Sequence, residues 1–142
     1  MNAISPAFAL AGVTGEVPAD LFIAGKWQGA RTGRRFDVLD PSTGKAIAAV
    51  ADGDADDALA ALDAASTALP AWSATPPRQR GEILRKCFEL MTARADQLAR
   101  LISLENGKPL PDAPAEVTYA AESFRWLAAD AVPLIANPPW QR

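Results

Sequence analysis

The sequence contains no histidine and a single cysteine, Cys87. Without imidazole there is no Ser-His-Asp or Cys-His catalysis, no histidine metal ligand and no histidine-based pH switch. One cysteine excludes an intramolecular disulfide and any CxxC metal or redox motif. No apolar run approaches the length that crosses a bilayer, so no membrane span is expected. Charge of one sign is also scarce: 14 Lys+Arg against 17 Asp+Glu leave −3 overall, which argues against a nucleic-acid partner. Gly-x-Gly-x-x-Gly occurs nowhere, so the chain encodes no self-contained dinucleotide loop.

What is present fits one ordinary domain length, 142 residues. The 49% hydrophobic content includes 31 alanines, which bury little area each. Residues 1–19 carry no Lys or Arg, unlike the basic start of a secretory signal, and read as a flexible lead-in to a cytoplasmic protein. The period over 21–51 is that of β-hairpins. Leu21-Phe22-Ile23 and Trp27 flank a turn at Ala24-Gly25-Lys26, and Arg31-Thr32-Gly33-Arg34 makes a second turn. Phe36 to Asp40 pairs with Ala46 to Val50 across Pro41-Ser42-Thr43-Gly44. Such a ribbon is marginal alone and needs something to lie against.

From Asp54 the period becomes helical. Asp54 is an N-cap with Asp56 and Asp57 in the first turn, and Pro70 is expected to stop the helix. Thr75 is expected to cap a second helix with Pro76 at its first position. Its apolar face is Ile83, Leu84, Cys87, Phe88 and Met91, and after a bend near 94–96 the stripe resumes at Leu98, Leu101 and Ile102. Asn106-Gly107 stops the helix, with Pro109 beyond. A last helix from near Pro114 should bury Val117, Ala120, Phe124, Leu127 and Ala131, and Pro133 ends it. The fold expected is α+β, an N-terminal β-hairpin ribbon followed by three or four helices.

Candidate chemistry is thin. Gly107-Lys108 fails as a phosphate loop, because Ile102 stands where its first glycine belongs and Pro109 follows the lysine. Gly25, Gly29 and Gly33 are hairpin glycines. Cys87 sits mid-helix on the apolar side with no base, and reads as core packing. Glu105 and Glu116 lie close to apolar stripes, where a buried acid could serve as a base, but no partner for that work is evident. Trp27, Trp72, Trp126 and Trp140 read as packing anchors. No catalytic, cofactor-binding or metal-binding residue is assigned.

Taken in order, these residues resemble the opening of the NAD(P)-dependent aldehyde dehydrogenase family. The blocks are Leu21-Phe22-Ile23-Ala24-Gly25-Lys26-Trp27, then Asp40-Pro41-Ser42-Thr43-Gly44-Lys45, then Ala68-Leu69-Pro70-Ala71-Trp72. Arg78-Gln79-Arg80-Gly81-Glu82, Leu104-Glu105-Asn106-Gly107-Lys108-Pro109-Leu110 and Phe124-Arg125-Trp126-Leu127-Ala128 continue them. The Glu-Asn-Gly-Lys-Pro-Leu block and Ala120-Ala121-Glu122 lean toward the succinate-semialdehyde dehydrogenase branch. Pro111 and Pro114 depart from the family pattern.

The resemblance implies oxidation of an aldehyde to an acid with NAD or NADP. In the family a cysteine thiolate attacks the aldehyde, hydride passes to the nicotinamide, a glutamate activates water, and an asparagine in Pro-Trp-Asn helps form the oxyanion hole. All are expected further along than these 142 residues, as are the groups that hold the cofactor. Cys87 does not match the catalytic position. Pro139-Trp140-Gln141 comes too soon and has Gln141 in place of asparagine, so no role is carried onto it. The expectation is therefore an N-terminal family segment over 20–133, between the lead and an irregular tail 134–142, a truncated fragment inactive alone that binds no cofactor itself. The alternative is a module that docks onto full-length aldehyde dehydrogenase subunits or self-associates. The isolated chain should unfold at low denaturant and bind hydrophobic dyes.

Overall fold

The structure is a computed structural model that describes residues 7–8 and 17–130. The expectations for Ala131, Pro133, Trp140, Gln141 and the tail 134–142 lie outside those residues. Two compact units form, one from the described residues up to Trp72 with Leu104–Gly107, the other from Ser73–Ser103 with the described residues from Lys108 onward.

The first unit is built from antiparallel ribbons. Within the segment read as a lead-in, β1 (Ala7–Phe8) pairs with β2 (Val17–Pro18). β3 (Leu21–Ile23) pairs with β4 (Lys26–Gln28), closed by Ala24 and Gly25 at φ 52° and 77°. Two left-handed central residues are what a two-residue hairpin turn matching strand twist requires. Across that hairpin Phe22 stacks on Trp27, ring centroids 5.0 Å apart. Ala30 accepts from the Gly33 amide at 2.8 Å to make the second turn. β5 (Arg35–Leu39) then pairs with β6 (Ala46–Ala51), with an irregularity at Val38/Leu39. Their loop is held by Asp40, whose carboxylate accepts from the Ser42 amide and hydroxyl at 2.8 and 2.6 Å and from the Thr43 hydroxyl at 2.9 Å. The hydroxyl of Ser42, then its amide, then Thr43 hold the Asp40 carboxyl below the ordinary carboxylate range.

α1 (Ala55–Ala74) starts as expected: Asp54 Oδ1 accepts from the amides of Asp56 and Asp57. It does not stop at Pro70, which lies inside the helix. The proline removes only the bond to the Ser66 carbonyl, and alanines at 65, 68 and 71 favour helix on both sides. The turn around it is exposed, which leaves room for the ring.

In the second unit α2 (Pro77–Ala93) packs along α4 (Ala113–Asp130). The cap is Pro76 rather than Thr75, and Pro77 takes the first helical position. Pro76 is extended, at φ −53° and ψ 138°, as the residue before a proline prefers, while its carbonyl accepts the first helical bonds from Gln79 and Arg80. The bend is a break at Arg94, after which α3 (Ala95–Asn106) begins. Gly107, at φ 76°, ends it. The core here is Ala99, Ala113 and Val117, with Ala95, Leu98 and Ile102 against it. On α4 the buried stripe runs Ala113, Val117, Ala121. Ala120 is exposed and Leu127 is 48% exposed, against expectation. The covered face is centred on Val117 and Ala121, and Ala120, about 100° round the helix from Ala121, falls outside it. The architecture is the α+β ribbon-then-four-helix arrangement read from the sequence.

Candidate functional site

Two polar constructions stand out, one in each unit. In the first, Asp57 is a buried charged residue, 7% exposed. It occupies the third position of α1 and returns the favour of the N-cap: its Oδ2 accepts from the Asp54 amide at 3.1 Å. This is a capping box with aspartate in both roles. Both Asp57 oxygens also accept from the Arg31 amide, at 3.2 Å each. The Arg31 guanidinium reaches Asp54 and Asp56, each at 2.8 Å. The amide of Asp57, with help from the Arg31 charge, holds Asp54 below the ordinary carboxylate range. The node ties the loop after β4 to the start of α1.

In the second unit the turn between α3 and α4 is pinned. Ser103 Oγ donates to the Lys108 carbonyl at 2.7 Å, and Lys108 Nζ pairs with Glu116 Oε1 at 2.6 Å. Lys108 is thus a half-buried partner of Glu116. Glu116 and Glu105 are both exposed, so neither is a buried acid. Glu122 and Arg125 pair at 2.6 Å, as their spacing suggests. Cys87 is half-buried beside Phe88 on α2. Along α2 and α4 opens a groove of about 440 Å3 lined by Arg78, Glu82, Arg85 and Arg125 over Gly81 and Ala128. Glu82 and Glu89 pair with Arg85, and Glu122 with Arg125, so the groove carries no concentrated positive charge.

Among the described residues no group of three or more His, Cys, Asp or Glu could hold a metal ion, and no helix is long and apolar enough to cross a membrane. The described residues do not fit a dinucleotide either. Their strand pairs are all antiparallel. The strand-to-helix passage from β6 to α1 runs through Asp52-Gly53-Asp54 into Asp56 and Asp57, where a pyrophosphate would meet like charge.

What the surface offers instead is apolar. Of the tryptophans read as packing anchors, Trp27 packs on Phe22, yet Trp27, Trp72 and Trp126 are 49%, 43% and 64% exposed. Leu59, Leu62 and Leu69 of α1 are exposed as well. No sequence signal separates a tryptophan that fills a core from one that waits on an uncovered face, because both fall on apolar stripes.

Comparison with known proteins places the chain in a family. The sequence profile described as "Aldehyde dehydrogenase family" matches residues 27–136. The chain belongs to the aldehyde dehydrogenase family. Among its relatives, the NADP(+) succinate-semialdehyde dehydrogenase of Escherichia coli is 44% identical over 108 residues, covering 76% of this chain and 22% of that enzyme. The glutarate-semialdehyde dehydrogenase of Pseudomonas putida is 41% identical over 110 residues, 78% of this chain and 23% of that one. The crystal structure of an aldehyde dehydrogenase from Brucella melitensis biovar abortus superposes with TM-score 0.81 at 33% identity, over 84% of this chain and 25% of that one. The chain thus spans less than a quarter of the length of these curated relatives.

Proposed function

We propose that this chain serves as the opening scaffold of an NAD(P)-dependent aldehyde dehydrogenase that oxidises succinate semialdehyde to the acid, acts in the cytoplasm, and by itself turns over no aldehyde. The observation that carries the reading is the 44% identity to a succinate-semialdehyde dehydrogenase over three quarters of the chain. The glutarate-semialdehyde relative supports the wider class, an aldehyde carrying a carboxylate at its other end. Residues 20–133 would be the working segment. The ribbons, the Asp57 node and the Lys108–Glu116 turn hold helices whose exposed apolar faces the remainder of such an enzyme would cover. The test is formation of reduced nicotinamide by the purified chain with succinate semialdehyde and NAD or NADP. No signal above buffer is expected, and measurable turnover overturns the reading.

A second reading is favoured by exposed Phe22, Trp27, Leu59, Leu62, Leu69 and Trp72. On it the chain docks onto full-length aldehyde dehydrogenase subunits, or onto itself, through these residues. Tagged chain should then co-purify a full-length relative expressed beside it, and failure to do so removes this reading.

A further inference from the structure

A two-stranded ribbon has unpaired edges to which another strand can add. β6 carries such an edge in the first unit: its six residues, Ala-Ile-Ala-Ala-Val-Ala, have no charge and no proline. Its outer edge is identified by one bond. The amide of Ala51 donates to the Ala19 carbonyl at 2.9 Å instead of to β5, so it faces away from the ribbon. The two-residue period of a strand puts the amide and carbonyl of Ala49 on that same outer side.

The Ala49 carbonyl is occupied from an unexpected direction. Arg35 lies on β5, opposite Ala51, yet its Nε and one terminal nitrogen donate to the Ala49 carbonyl at 3.2 and 2.8 Å. The side chain crosses the ribbon to its far edge, and alanines at 49 and 51 leave that path clear. The same guanidinium donates to the Ala19 carbonyl at 2.9 Å and to Asp20 Oδ1 at 2.8 Å. The Asp20 side chain is only 5% exposed, so this pairing is sheltered.

We propose that Arg35 is an edge guard: it fills the outward acceptor of β6, pins Ala19 and Asp20 beside it, and so keeps a second copy of this chain from adding its own β6. The occupant excluded is a second copy because the edge is complementary to itself. Two β6 strands paired antiparallel about a twofold axis present the same surface to each other. Lys45 before the strand and Asp52 after it then fall at the same end of the pair, one from each copy.

The test compares sedimentation of the full chain, Arg35→Ala and Arg35→Ala/Ala49→Pro over a range of concentrations. Arg35→Ala is expected to shift toward about twice the parent's mass with its far-UV circular dichroism intact. Ala49→Pro removes an amide that faces outward and is not used by β5, so the double variant should return to the parent's mass. Three results overturn the proposal: Arg35→Ala with the parent's mass, association that persists in the double variant, or collapse of the dichroism in Arg35→Ala, which would make Arg35 a residue of folding only.

Discussion

Replacing Asp57 by alanine tests whether the buried carboxylate is the tie between ribbon and helix. The substitution leaves two amide donors without their acceptor, those of Arg31 and Asp54. A part-buried donor left unpaired costs about 1–3 kcal/mol. Both bonds are only part-buried, so the low end applies to each, and the sum is about 2 kcal/mol. With a urea slope typical of small proteins this moves the midpoint down by about 1–2 M. Where the parent's own midpoint lies below that, the transition disappears. Asp57→Asn keeps one acceptor oxygen and should fall between. Asp54→Ala should cost less than Asp57→Ala, since one of the two amides it caps, that of Asp56, is exposed and keeps water as a partner. Urea unfolding followed by circular dichroism gives the order, and hydrogen exchange of the Arg31 amide reports the local loss. An Asp57→Ala chain with unchanged Arg31 protection, or one less perturbed than Asp54→Ala, refutes the reasoning.

Three further outcomes are expected. Gly107→Ala should destabilise more than Gly33→Ala: both positions have positive φ, but a Cβ at 107 would meet Pro41 Cγ at 2.8 Å while one at 33 meets nothing within 4 Å. The positive φ alone costs about 1 kcal/mol and the overlap adds about 1–2 kcal/mol, so equal unfolding midpoints would contradict the geometry. Asp40 and Asp54 are both held below the ordinary carboxylate range. Their contribution is therefore whole above the unfolded-chain pKa and is lost as pH falls through the lower folded value; Asp40→Asn with Asp54→Asn should flatten the acid limb of the stability profile, and an unchanged limb argues against it. The isolated chain should bind a hydrophobic dye and unfold at low urea through its exposed tryptophans and leucines. A sharp two-state transition with no dye binding would contradict that.

Much of the fold was legible because its signals are local. Gly25, Gly33 and Gly107 mark places where the backbone must turn left-handed, and Asp54 needs only its own next three residues to cap a helix. On α2 the spacing gives Leu84, Cys87, Phe88 and Met91 as the half-buried face, but Ile83, expected on it, is 47% exposed and the buried residue is Gly81. What was illegible depends on partners distant in sequence or on competing local terms. Asp57 looks like any first-turn acid until Arg31, 26 residues earlier, is brought to it. Lys108 finds Glu116 across the turn and the first turn of α4, a separation no single-helix rule covers. Pro70 carries a helix-stop signal that its alanine neighbours outweigh. Ala120 and Ala121 lie about 100° apart round α4, and which of them is covered depends on the side against which α2 packs. The exposed tryptophans follow from which faces are covered, and periodicity does not encode that.

The most direct test of the account is complementation. The Escherichia coli relative, shortened by the 108 residues that match this chain, is produced alone and together with the full chain, and oxidation of succinate semialdehyde is followed through reduced nicotinamide. The account predicts silence from each protein alone and activity from the two together. Turnover by this chain alone, or silence from a soluble mixture in which the two proteins demonstrably associate, would contradict it.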